Sequence, residues 1–161
     1  MTQVVEPSSP GTRTGAPVGT SAGLAAGGAA LARGKVIEAR PGMVIFQPRG
    51  TSYELHLETT ADYAGPLNKP VQGRILVKAR KLYTVPSGGN FVAPILGPAR
   101  TIQGRVIAVS PTQILLQAGV PVVVDLPMER HAIDLASGPI EEGAIVNIVA
   151  FPGARFDPAV V

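Results

Sequence analysis

The sequence has no cysteine, no tryptophan, two histidines (His56 and His131), 4% aromatic residues and 16% charged residues over 161 positions. Without cysteine there are no disulfides, thiolate metal ligands or cysteine nucleophiles, and two histidines supply little for a histidine-built metal centre. Few aromatics leave little for a stacking surface once a core is filled. No run of 18 residues is free of glycine, proline and charge, so no segment reads as a membrane-spanning helix. The chain does hold 19 glycines, 16 prolines and 45% apolar residues, enough for a core. Glycine and proline at that density exclude a helical bundle, because helix interiors tolerate neither.

Residues 1–33 are mostly Gly, Ala, Ser, Thr and Pro, with Glu6, Arg13 and Arg33 the only charges, and are expected to be a disordered tail. Ala30-Leu31-Ala32 mimics a small-residue cleavage site. The run before it is broken by glycine and holds one bulky residue, Leu24, which is poor material for a secretory signal, so a cytoplasmic location is expected.

Beyond the tail the sequence repeats at an interval of seventy. Gly34-Lys35-Val36-Ile37 returns as Gly104-Arg105-Val106-Ile107, Val44-Ile45-Phe46-Gln47 as Ile114-Leu115-Leu116-Gln117, and Gly73-Arg74-Ile75 as Gly143-Ala144-Ile145. Tyr53 to Leu57 match Val122 to Leu126 after a one-residue slip. The two copies thus read as one register over 42 residues, and a fixed period of this kind marks a duplicated structural unit.

Apolar and β-branched runs bounded by glycine and proline predict strands at 34–39, 43–47, 52–58 and 73–85, then at 104–109, 114–117, 122–126 and 144–150. In both copies the third connection is long, and 128–135 can form one short helical turn. The expected fold is therefore all-β: a first small barrel at 34–85, an ordered Gly/Pro-rich apolar loop at 86–100 and a second small barrel at 101–161. This order is similar to oligonucleotide-binding-type small barrels. Ala99-Arg100 before Gly104-Arg105-Val106 also resembles the paired molybdate-binding barrels of transport and regulatory proteins, a likeness that implies an oxyanion site without assigning residues to it.

The net charge of +3 is unevenly spread. Residues 63–124 hold Lys69, Arg74, Lys78, Arg80, Lys81, Arg100 and Arg105 and no acid, for +7, whereas 125–161 hold Arg130 and Arg155 against six acids, for −4. Strand alternation puts Arg74, Lys78 and Arg80 on one face, and Ile75, Val77, Ala79 and Tyr83 on the other. Such a stripe suits a polyanion, with Tyr83 or Phe91 stacking on a base, or a head-to-tail contact between the +7 and −4 segments of two copies.

Chemistry is sparse. His131 lies near Glu129 and Asp134 without further ligands or a nucleophile, and Ser87-Gly88-Gly89-Asn90 lacks the following helix that a phosphate loop needs. The expectation is a non-enzymatic structural or assembly protein without cofactor, metal or small-molecule substrate. It would associate with itself or a protein partner through Phe91, Val92, Ile95 and Leu96. The alternative is a nucleic-acid-binding module using Arg74, Lys78, Arg80, Lys81, Arg100, Arg105 and Tyr83.

Overall fold

A computed structural model describes Leu24 and residues 27–159; the expected tail up to residue 23 lies outside the described residues. The described residues are all-β, with 54% of them in strands. The first four strands are β1 (Ala32–Arg40), β2 (Met43–Pro48), β3 (Glu54–Glu58) and the 16-residue β4 (Pro70–Val85). Two short strands follow, β5 (Phe91–Ala93) and β6 (Leu96–Gly97). Then come β7 (Thr101–Val109), β8 (Gln113–Gln117), β9 (Pro121–Asp125), β10 (Ile133–Asp134), β11 (Ile145–Ala150) and β12 (Arg155–Pro158). Single 3-10 turns occupy Gly28–Ala30 and Arg130–Ala132, the second within the short helical turn that the sequence predicts. Residues 28–33, which composition groups with the tail, belong to the fold: Ala30 and Ala32 are fully buried.

All twelve strands form one mixed sheet. Pairing runs β1-β2-β3-β12-β4 and returns from β4 to β1. It also runs β4-β11-β7-β8-β9 and returns from β9 to β4. The two circuits share β4. Its first residues lie against β1, its last against β11, and Leu76 to Lys78 in the middle run parallel to β9. Conversely the chain leaves β11 and enters β12, which runs antiparallel to β4 at Gly73–Leu76 and parallel to β3 at Arg155 and Glu58. The two circuits therefore exchange strands: β4 belongs to both, and β12, which follows β11 in the chain, joins the first.

Side-chain alternation makes this exchange favourable. Ile75 and Val77 of β4 face the interior, as do Val36, Val44, Phe46, Leu55 and Leu57 around them, and Phe156 of β12 completes this group at 1% exposure. Ile102, Val106, Ile114, Leu116, Val122, Val124 and Ile148 belong to the same continuous core. Full burial of a side chain of this size contributes about 1.5–3 kcal/mol relative to exposure.

The repeat holds its seventy-residue interval only at the start. Lys35 pairs with Gln47 and Arg105 with Gln117, an interval of 70 at both positions. Phe46 pairs with Leu55 but Leu116 with Val122, so β9 follows β3 at 67 residues and the one-residue slip is in fact three. Ala32 pairs with Gly73 but Ile102 with Ile148, so β11 follows β4 at 75. The turn before β9 is three residues shorter and the third connection eight residues longer, so β11 ends five residues beyond the seventy-residue step. Displacing β9 by two residues from its aligned position keeps every side chain on the same face, which is why the pattern looked continuous.

Gly34 and Gly104 are equivalent for a steric reason. A Cβ at Gly34 would lie 2.2 Å from the Gln47 carbonyl oxygen, and one at Gly104 2.3 Å from that of Gln117. Gly73 and Gly143, aligned by the sequence, do different work: Gly73 lies under the Phe156 ring, whereas Gly143 turns the chain with φ +91°.

Candidate binding surface

The segment between β4 and β7 carries the short strands β5 and β6. β5 runs antiparallel to β7 with Phe91 opposite Gln103, and β6 runs parallel to β3 with Leu96 opposite Glu54. Glu54 N–H donates to the Ile95 carbonyl at 2.7 Å, and Arg100 N–H to that of Ala93 at 2.9 Å. The Tyr53 hydroxyl accepts from Val92 N–H at 3.2 Å and makes a long 3.4 Å contact to the Ala118 carbonyl, tying the segment to both halves. Val92, expected at the interface, is 1% exposed and packs into the core, because its neighbours on β5 take the outward positions. Phe91, Ile95 and Leu96 remain outside at 36%, 51% and 58% exposure.

β4 changes faces along its length. Ile75, Val77 and Ala79 are buried, then Arg80 and Lys81 are exposed in succession, and Leu82 and Thr84 become the buried residues. The pairing with β11 shifts at this point, between Val149 and Ala150. One extra residue in a strand reverses the alternation beyond it. Tyr83 therefore points outward with Lys78, Arg80 and Lys81, not inward with Ile75 as uninterrupted alternation predicts.

The reversal creates a row that the sequence did not indicate. Tyr83 on β4 is opposite Asn147 on β11, Asn147 opposite Gln103 on β7, and Gln103 opposite Phe91 on β5. Residues directly opposite one another share a face, so two aromatic rings flank two amides over three interstrand steps, about 14 Å. Asn147 Nδ2 donates to the Tyr83 hydroxyl at 2.7 Å, and Gln103 Nε2 to the Gly89 carbonyl at 3.1 Å. Gly88 leaves the space that the Gln103 amide occupies, since a Cβ there would lie 2.0 Å from Nε2. The row was hidden because its members come from four strands that only the tertiary pairing brings together.

The charge asymmetry is met inside the molecule. Arg74 is in register with Asp157, Lys78 with Asp125, and Tyr83 with Asp134, each acid being on a strand bonded to β4. Asp157 also accepts two bonds from Arg155, at 3.1 and 3.2 Å. The −4 end thus lies along the +7 segment of its own chain, and the acid-free stripe of the sequence gains three carboxylates as neighbours. Arg80, Lys81 and Arg100 stay exposed, while Arg105 Nη1 donates to the Gly143 carbonyl at 2.9 Å.

His131 is an exposed side chain 3.7 Å from Glu129, and His56 lies half-buried on β3 opposite Ile45. Among the described residues no three His, Asp or Glu side chains gather as metal ligands would, and no helix is long and apolar enough to cross a membrane. The chain matches no known protein family, no curated protein and no solved structure.

Proposed function

We propose that the protein is a non-enzymatic assembly module, built from two small oligonucleotide-binding-like barrels that exchange their last strands, and that it associates with a second copy through the Tyr83–Phe91 face and the adjoining Ile95 and Leu96. The observation that carries this reading is the interrepeat segment: it is fixed by backbone hydrogen bonds and the Tyr53 hydroxyl, yet holds three large apolar side chains in water. A rigid surface of this kind loses little conformational entropy on binding. Aromatic residues are the preferred anchors of such interfaces. A second copy is favoured because the row reads aromatic, amide, amide, aromatic. A two-fold contact would set Tyr83 of one copy against Phe91 of the other, with amides meeting amides.

Light scattering across a hundredfold concentration range tests this reading. A dimeric mass that falls on dilution is expected, with Phe91→Asp and Leu96→Asp remaining monomeric at unchanged melting temperature. A strict monomer throughout overturns it. The second reading, nucleic-acid binding, draws support from the exposed Arg80 and Lys81 beside Tyr83. Salt-sensitive binding of a labelled single-stranded oligonucleotide to a monomer, lost in Tyr83→Ala, would favour it instead.

A further inference from the structure

A cleft of ≈770 Å³ opens where β1, the turn after β2 and the start of β4 meet, lined on its polar side by Arg33, Lys35, Arg49, Gln47, Gln72 and Asn68. Its side chains are placed by strand register. Arg33 is opposite Gln72, and Arg49 N–H donates to the Arg33 carbonyl at 2.8 Å, giving a row Arg49-Arg33-Gln72. Lys35 is opposite both Gln47 and Pro70, giving a second row on the same face. Two residues along a strand separate these rows by about 7 Å.

No carboxylate lines the cleft, and among the described residues none of the three cations takes part in an ion pair, unlike Arg40 with Glu38 or Arg155 with Asp157. Three like charges converging on one concavity repel one another and raise the local potential, which an anion relieves. Arg33 and Arg49 offer planar donor forks suited to phosphate oxygens, and Lys35 adds a compact point charge. The amides of Gln47, Gln72 and Asn68 add neutral hydrogen-bonding groups. No aromatic side chain lines the walls, so nothing there stacks a base; Pro48, Pro70 and Val71 provide the apolar part. The volume lies within the usual range for small-molecule sites, about 300–1,000 Å³.

We propose that this cleft binds a small molecule carrying at least two phosphate groups, held by Arg33, Lys35 and Arg49. The site is separate from the Tyr83–Phe91 face and independent of the assembly reading. Titration calorimetry of the full chain with inorganic triphosphate, and in parallel with a nucleoside triphosphate, tests it. Saturable one-to-one binding is expected, weakened about tenfold or more by each of Arg33→Ala, Lys35→Ala and Arg49→Ala, the loss of a charge-assisted hydrogen bond. Arg49→Gln, at an exposed turn position, serves as a second variant whose melting temperature should match the wild type. Arg40→Ala, outside the cleft, should leave the affinity unchanged. Equal affinity for the two probes assigns recognition to phosphate alone, and tighter binding of the nucleoside form adds contacts to the organic part; both support the site. No binding of either probe at low salt, or equal binding by the triple variant, overturns it. Binding confined to single-stranded oligonucleotides, with affinity growing with length, also overturns it.

Discussion

The ring of Phe156, three residues before the last described residue, stacks on that of Phe46 with centroids 4.7 Å apart and an interplanar angle of 29°. Both are fully buried, and Gly73 lies beneath the Phe156 edge, where a Cβ would come within 2.5 Å of Cζ. The first half of the protein thus closes its core with a residue from the second. Stability of the halves is coupled by this contact, because neither circuit of strands is complete without the other's contribution.

Phe156→Ala is expected to destabilise the fold by about 3–5 kcal/mol, the range for emptying an aromatic site in a packed core. Urea unfolding followed by circular dichroism measures it. A single transition shifted as a whole is the expected form. Two separate transitions, with the second half unaffected, would contradict the exchange of strands.

The two equivalent glycines at the strand crossings should tolerate no side chain. Gly34→Ala and Gly104→Ala each push a methyl group into a backbone carbonyl, at 2.2 and 2.3 Å, and are expected to cost about 1–3 kcal/mol or more. Gly28→Ala, with nothing within 4 Å, should leave the melting temperature within a degree or two. Thermal melts of the three variants give the comparison.

Tyr53→Phe removes the hydroxyl that accepts from the buried Val92 amide. An unsatisfied buried donor costs about 1–3 kcal/mol. Amide hydrogen exchange should show faster exchange at Val92 and its neighbours on β5, with the β1–β2 pairs unchanged. Equal protection in both proteins would place the Val92 donor elsewhere.

Burial raises the Tyr63 phenol above its ordinary value of 10.0. The hydroxyl also donates to the Pro66 carbonyl at 2.9 Å, a bond that needs the proton. Because the folded state holds the proton more tightly, the contribution is fully present below the unfolded pKa near 10 and is lost as pH rises through the folded value. The stability difference between wild type and Tyr63→Phe should therefore narrow above pH 10. A difference that stays constant up to pH 11 would exclude this assignment.

Most strand positions were legible in the sequence. The runs at 43–47, 114–117 and 144–150 coincide with β2, β8 and β11 to within one residue, because each is a short continuous apolar run bounded by glycine or proline, the signature of a strand buried at successive positions. The exposure of Phe91, Ile95 and Leu96 was legible from their apolar character among glycines and prolines. Val92 and Tyr83 were misplaced for local reasons. One sits in a three-residue strand whose inward position only its pairing with β7 fixes, and the other lies beyond a bulge that no residue pattern announces. Arg33, Lys35 and Arg49 passed unnoticed because they are scattered over 17 positions and nearby acids balance them in the sequence.

By itself the sequence determined an all-β chain, because glycine, proline and β-branched residues act through local sterics that need no partner. Only the tertiary structure decided which half each last strand completes, since Phe156 finds its partner 110 positions earlier. The same holds for charge: the +7 and −4 segments are separate along the chain, and pairing of β4 with β9, β10 and β12 sets acids beside Arg74, Lys78 and Tyr83. Local pattern chooses strands, but long-range hydrogen-bond register chooses their neighbours, and both proposed surfaces depend on the neighbours.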